Sequence, residues 1–256
     1  MHFDDPVTAA WVAAAHGMGF SVRRSPDAWA AYDGQGGITV SDDSGLDADD
    51  SAASLILHEL SHFLVQGAAS ASQPDWGLDT VNPGPDEQRR ERSAVRIQRA
   101  VLLRRGLQDR LAPTTDYRAF YDALGADPIA DDPLAQAAWE LLVERGWLSI
   151  LDAALGATAG TPDCGACGAC CHRGFGALEI PADDPFAASH AELLEITPDG
   201  ARLLPRPQGW CPLVVQTTSG RRWACSEYGA RPLGCVRFEP GSPDCLDARE
   251  RAGLSG

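Results

Sequence analysis

The sequence predicts an α+β protein of two domains, and three observations carry that expectation. Short β-prone stretches separated by turn residues occur early, at Phe20 to Arg24, Trp29 to Tyr32 and Gly37 to Ser41. Long stretches of helical periodicity follow them. All eight cysteines then lie at or beyond Cys164, after G-A-T-A-G-T-P-D (156–163), whose Gly and Pro content reads as a linker. The expected boundary is near residue 158. Residues 1–158 would hold a small sheet and a metal-site helix, and residues 159–256 a small cysteine-rich metal-binding domain.

A chain of 256 residues can bury a sizeable core as one large or two smaller domains. Asp and Glu total 36 against 21 basic residues, a formal net charge of -15. That balance argues against a nucleic-acid partner, which needs basic stripes. It would also repel an anionic membrane. The opening M-H-F-D-D-P has neither the basic nor the apolar part of a secretion signal. No uninterrupted apolar run reaches membrane-spanning length. A cytoplasmic location is expected, where clustered cysteines point to metal more than to disulfides.

Taken in order, residues 6 to 16 should form a helix with Asp5 as its cap, Pro6 in the first turn and Gly17 and Gly19 beyond its end. Asp33-Gly34 is a turn signal between strands. Residues 42 to 50, D-D-S-G-L-D-A-D-D, lack the spacing of a calcium loop. They read as an acidic lead-in that favours the next helix through its dipole. That helix spans about Asp50 to Gln66, with Gly67 as its stop. A polar loop over 68–85 leads to a charged helix from Asp86 to about Leu107. Further helices are expected at Tyr117 to Leu124, Pro133 to Glu144 and Ser149 to Leu155.

The Asp50 to Gln66 helix carries His58, Glu59 and His62 in the spacing H-E-x-x-H. Positions i and i+4 share one helix face, so two imidazoles can reach one ion. Glu59 can then serve as general base toward water at that ion. Leu55, Ile56, Leu60, Phe63 and Leu64 surround this trio, and charged groups in such surroundings need a partner or an ion. Catalytic zinc generally takes three protein ligands. The extended pattern with a third His is absent, since Val65 and Ala68 stand where it needs Gly and His. The preferred third ligand is Glu91, because small Ala94 one turn on would let two helices approach. Glu87 and Asp79 remain alternatives.

The C-terminal part begins C-G-A-C-G-A-C-C-H, placing Cys164, Cys167, Cys170 and Cys171 before His172; Cys211, Cys225, Cys235 and Cys245 follow. Such tight spacing suits a metal ion or an iron–sulfur cluster, with disulfides as the alternative. His172 is a ligand or a hydrogen-bond donor behind one. Arg231 or Arg237 can offset thiolate charge.

This run, with W-C-P-L and C-S-E-Y-G-A-R-P-L-G-C-V-R-F, resembles the YkgJ-type cysteine-cluster family, described as zinc- or iron-chelating. Tyr228, Arg231 and Pro232 match its motif, while C-V-R-F stands where the family often has C-R-x-F. The resemblance covers about residues 160–250 and implies a metal at the cysteines. The helix A-S-L-I-L-H-E-L-S-H-F is similar to that of zincin-type metallopeptidases. That similarity implies a zincin-like first domain with Zn²⁺ at His58 and His62. It also implies a protein or peptide substrate, bound by strand addition along residues 37 to 41.

The first functional expectation is a zinc-dependent hydrolase, a peptidase with Glu59 as base and Tyr117 or Tyr121 as an oxyanion donor. Two His and a carboxylate also describe a non-haem iron oxidoreductase site. A non-enzymatic metal-binding adaptor or maturation protein is the third reading. The sequence leaves the oligomeric state open.

Overall fold

A computed structural model describes residues 5–42, 44–46, 50–114, 116–172, 174–216 and 223–254. Part of the acidic lead-in (43 and 47–49) lies outside the described residues. The fold is mixed α and β, with helix in excess. The chain divides into two compact units, and the main break falls between Gly160 and Thr161.

In the first unit, α1 (Pro6–Gly17) starts where Asp5 accepts hydrogen bonds from the amides of Val7 and Thr8. Three strands follow, β1 (Ser21–Ser25), β2 (Ala30–Tyr32) and β3 (Gly37–Ser41), in the spatial order β1-β3-β2. The β1–β3 pairing is parallel and the β2–β3 pairing antiparallel. Strand β3 is therefore central and wholly buried. Both of its edges are taken, so residues 37 to 41 have no free backbone groups for a substrate strand, contrary to the expectation above.

Helix α2 (Ala52–Gln66) is the centre of this unit. It packs on α1, on β2 and β3, and on two later helices, and nearly every residue is buried. A helix enclosed on all sides must be apolar all round, which explains L-I-L, L and F-L-V around the polar trio. It stops at Gly67, whose left-handed φ of 73° suits glycine and whose amide returns to Phe63 O. Helix α3 (Pro85–Leu103) lies against α2. It ends earlier than expected because Gly106 turns left-handed, with Leu107 N bonded to Leu102 O and Gly106 N to Leu103 O, a Schellman closure.

Helices α4 (Arg118–Ala123), α5 (Pro133–Glu144) and α6 (Trp147–Gly160) complete the unit. The expected linker is partly wrong: 156–160 continue α6. Packing against α1 holds that last stretch helical. Thr158 is buried, accepts from Trp11 Nε1 (3.0 Å) and donates to Ala154 O (2.8 Å). These contacts offset the roughly 1 kcal/mol that each helical glycine costs.

The second unit is loop-rich. Asp163 caps the short α7 (Cys164–Cys167), and left-handed Gly168 turns the chain into a single 3₁₀ turn carrying Cys170 and Cys171. Strands β4 (Leu178–Glu179), β5 (Glu195–Ile196) and β6 (Arg202–Leu204) form one antiparallel sheet, and β7 (Val214–Gln216) pairs with β8 (Trp223–Cys225). Helices α8 (Pro185–Ser189), α9 (Leu233–Val236) and α10 (Pro243–Arg251) fill the remainder. Its apolar centre is small: Ile180, Phe186, Ala187, Leu204 and Leu213, with Cys211 and Cys225 packed against it. Among the described residues, no helix is long and apolar enough to cross a membrane.

Asp132 ties α5 to α3. It caps α5 through Ala135 N (3.0 Å) and accepts from the Ser93 hydroxyl (2.9 Å), which is itself fully buried. Asp132→Ala is expected to lower unfolding free energy by about 1–2 kcal/mol in urea titration; an unchanged midpoint would remove that role.

Candidate metal centre

His58 and His62 project from one face of α2, and Glu91 reaches them from α3. Ala94, fully buried, leaves room for the two helices to approach. Glu91 straddles both rings: Oε1 lies 3.2 Å from His58 Nε2 and Oε2 3.1 Å from His62 Nε2. The two Nε2 atoms are 3.0 Å apart. Ligands about 2.0–2.1 Å from a tetrahedral zinc lie about 3.3 Å from one another. The two imidazole nitrogens and the two Glu91 oxygens are thus spaced closely enough for one ion to be reached by all three residues. Among the described residues this is the one group of three whose possible ligand atoms all lie within 4.8 Å of each other. Glu87 and Asp79 are outside it; Asp79 instead caps an exposed turn through Val81 N and Asn82 N.

Behind His58 stands Gln98, fully buried on α3. Its Oε1 lies 3.3 Å from His58 Nδ1, while its Nε2 donates to Ser54 Oγ (3.1 Å) and Leu111 O (3.0 Å). Those two donations fix the amide's orientation, so Nδ1–H must be the donor to Oε1. The tautomer that results leaves Nε2 free for an ion. His62 Nδ1 is buried without a hydrogen-bond partner among the described residues.

Glu59 is buried beside this group, and its Oε2 accepts from Trp76 Nε1 (2.8 Å). Trp76 stacks flat on Tyr32 at 3.5 Å, and Tyr32 N donates to Asp75 Oδ1 (3.2 Å). Asp75 and Trp76 hold φ of 48° and 58°, unusual for side-chain-bearing residues and costing about 1–2 kcal/mol each. The stack and hydrogen bond hold this turn in place. Trp76 and Gln98 are the site residues that sequence reasoning missed. Trp76 sits in a stretch that reads only as a polar loop, and Gln98 lies within a charged helix whose pattern does not single it out.

Burial opposes a charge on His58, but the Glu91 carboxylate, helped by Glu59 and Gln98, outweighs it and pushes the imidazole up to about 9. Burial likewise opposes charge on Glu91, and the two imidazoles hold it well below the ordinary carboxylate range. Tyr117 lines a cleft with His58 and Glu91, and burial, then Glu91's charge, raises its phenol. Tyr121 is turned away: fully buried, it donates to Gln108 O (2.7 Å).

The eight cysteines are free thiols. Cys170 and Cys171 Sγ lie 3.9 Å apart, and Cys211 N donates to Cys171 O (2.8 Å). Burial, then Cys170, Cys245 and Cys167, pushes Cys164 up to about 12. Burial with Cys211, Cys225 and Cys170 does the same to Cys235, also to about 12. Among the described residues the cysteines form no group of three as tight as the His–Glu set. Arg249 donates to Cys167 Sγ (3.2 Å), and the charge of Arg206 acts on Cys170. Arg231 lies over the Tyr228 ring and donates to Tyr228 O (2.8 Å), and its charge acts to favour the Cys225 thiolate, as expected. His172 stacks on Trp210 at 3.7 Å.

With its value raised from 6.5 to about 9, His58 carries a proton at pH 7 in the metal-free protein. The stabilisation it contributes is full below 6.5 and is lost as pH rises through about 9. The part of zinc uptake that His58→Ala abolishes is expected to release about one proton at pH 7, measured calorimetrically in buffers of different ionisation enthalpy. No proton release from that part would place the ion elsewhere. Comparison of the chain with protein-family models, curated proteins and solved structures returns no match, so the geometry alone carries the chemistry of this site.

Proposed function

We propose that the first unit is a zinc-dependent hydrolase acting on peptide bonds. The observation that carries this is the convergence of His58, His62 and Glu91 to within 3.0–3.2 Å, with the buried carboxylate of Glu59 beside them. Zinc bound there supplies a Lewis acid and lowers the pKa of water. Glu59, one oxygen held by Trp76, takes a proton from the attacking water and delivers it to the leaving nitrogen. Tyr117, whose phenol stays protonated at neutral pH, donates to the carbonyl oxygen as charge develops there. Gln98 keeps His58 in the productive tautomer.

Glu59→Gln keeps the size and one acceptor for Trp76 but removes the base. It is expected to lower kcat by about 10²–10⁴ on a quenched-fluorescent peptide library, with zinc content at the site unchanged. Full activity in that variant, or iron in place of zinc at His58 and His62, would overturn the peptidase reading.

We infer further that the second unit holds metal through its cysteines, as Zn²⁺ or an iron–sulfur cluster. Its small apolar centre supports this, since a unit with so little core gains stability from a bound ion. Element analysis and an absorption spectrum after anaerobic purification should show cysteine-dependent zinc or a brown cluster. Loss of neither on replacing Cys167 and Cys211 by Ser would refute it.

A further inference from the structure

The eight thiols of the second unit are drawn together along two separate lines of contact. Cys164 and Cys167 lie one turn apart on α7, and Cys245 and Arg249 one turn apart on α10. Arg249 donates to Cys167 Sγ (3.2 Å), so the α10 face that carries buried Cys245 is turned toward α7. Helix α10 also packs on the turn that bears Cys170. The fit is close: a side chain at Gly174 would meet Ala169 O at 2.5 Å and Ala248 O at 2.9 Å. Among the thiols, Cys170 acts most strongly on Cys164, followed by Cys245 and Cys167. These four form one set.

The other four gather at the apolar centre. Cys211 and Cys225 both pack against it. Val214 N returns to Cys211 O (3.1 Å), and Val214 stands opposite Cys225 in the β7–β8 ladder. Buried Asp184 accepts from Phe186 N (3.0 Å) and Leu233 N (2.9 Å), which anchors the start of α9, and with it Cys235, beside the same centre. Cys211 N donates to Cys171 O (2.8 Å), and the charges of Cys211 and Cys235 act on Cys171. Cys170 and Cys171, with sulfurs 3.9 Å apart, stand where the two sets meet, and Cys170 acts on Cys235 as well as on Cys164. Each set has the four thiols that a tetrahedral site takes. Four thiolates around a divalent ion leave two negative charges; Arg249 and Arg206 offset the first set and Arg231 the second. Uptake of an ion gathers such ligands, so they need not start as close together as His58, His62 and Glu91.

We propose that the second unit holds two metal centres, each in its own four-cysteine site. Cys164, Cys167, Cys170 and Cys245 form one between α7 and α10. Cys171, Cys211, Cys225 and Cys235 form the other at the apolar centre. The inference rests on the reading above that this unit binds metal through its cysteines, and adds the number of sites and the division of the ligands between them.

Full-length protein, reduced, stripped of metal and kept free of oxygen, would be titrated with Co²⁺ while the sulfur-to-cobalt charge-transfer band is followed. The His58, His62 and Glu91 group has no sulfur and cannot produce that band. Saturation is expected at about two sulfur-bound Co²⁺ per chain. Cys164→Ser combined with Cys167→Ser should leave about one. Adding Cys170→Ser to that pair should leave the remaining site intact, whereas adding Cys171→Ser should abolish it. Wild-type protein loaded with Zn²⁺ below saturation reads the same division without any substitution. After alkylation, intact molecules carrying four alkyl groups should bear them on one complete set when sequenced by mass spectrometry. Saturation of wild-type protein at one sulfur-bound Co²⁺ would overturn the proposal. So would four alkyl groups scattered over both sets, even where a variant failed to fold. Binding of no sulfur-bound Co²⁺ at all would instead remove the metal reading on which the proposal rests.

Discussion

The close approach of α2 and α3 is the constraint on which the first unit depends. Fully buried Ala94 leaves room at the contact, and Glu91, one turn earlier on the same helix, arrives between two imidazoles 3.0 Å apart. In water such a group would be held weakly. In surroundings made of Leu55, Leu60 and Val95 the same charges act strongly on one another, which is why His58 and Glu91 move in opposite directions from their ordinary pKa values. A bulkier residue at 94 would separate the helices and leave polar atoms buried without partners.

Two supports hold this group from different parts of the unit. One comes from α3: Gln98 is locked by Ser54 and the Leu111 carbonyl and so has a single face to offer His58. The other comes from the sheet. Tyr32 on β2 stacks on Trp76 and pins a left-handed turn, and that turn delivers an indole N–H to Glu59. The sheet thus contributes to the site through a ring and an amide rather than as a docking edge, since β3 is paired on both sides.

The second unit is organised differently. Its strands are two or three residues long and its apolar centre small, while its cysteines are distributed over α7, the following turn, β8, α9, α10 and the segment before β7. Backbone contacts such as Cys211 N to Cys171 O draw distant stretches together, and Arg249 brings positive charge to Cys167. Crowding by surrounding protein, then the neighbouring cysteines, disfavours thiolates at Cys164 and Cys235, which keep solvent-exposed surface, and a positively charged ion would remove that penalty.

Local chemistry was legible in the sequence. The i,i+4 histidines, the Asp5 and Pro6 start of α1, the Gly67 stop of α2 and the Pro133–Glu144 helix follow from periodicity and capping, which act within a few residues. Glu91 could be favoured because a small residue lay one turn away. What only the tertiary structure decided is what depends on packing between remote stretches. It set the order β1-β3-β2 that closes both edges of β3 and the helical state of 156–160 imposed by Trp11 and Thr158. It also chose Gln98 and Trp76 as partners of His58 and Glu59. Periodicity reports which face of an element is buried. Which side chain meets it from tens of residues away is set by the packing, and no local spacing encodes that choice.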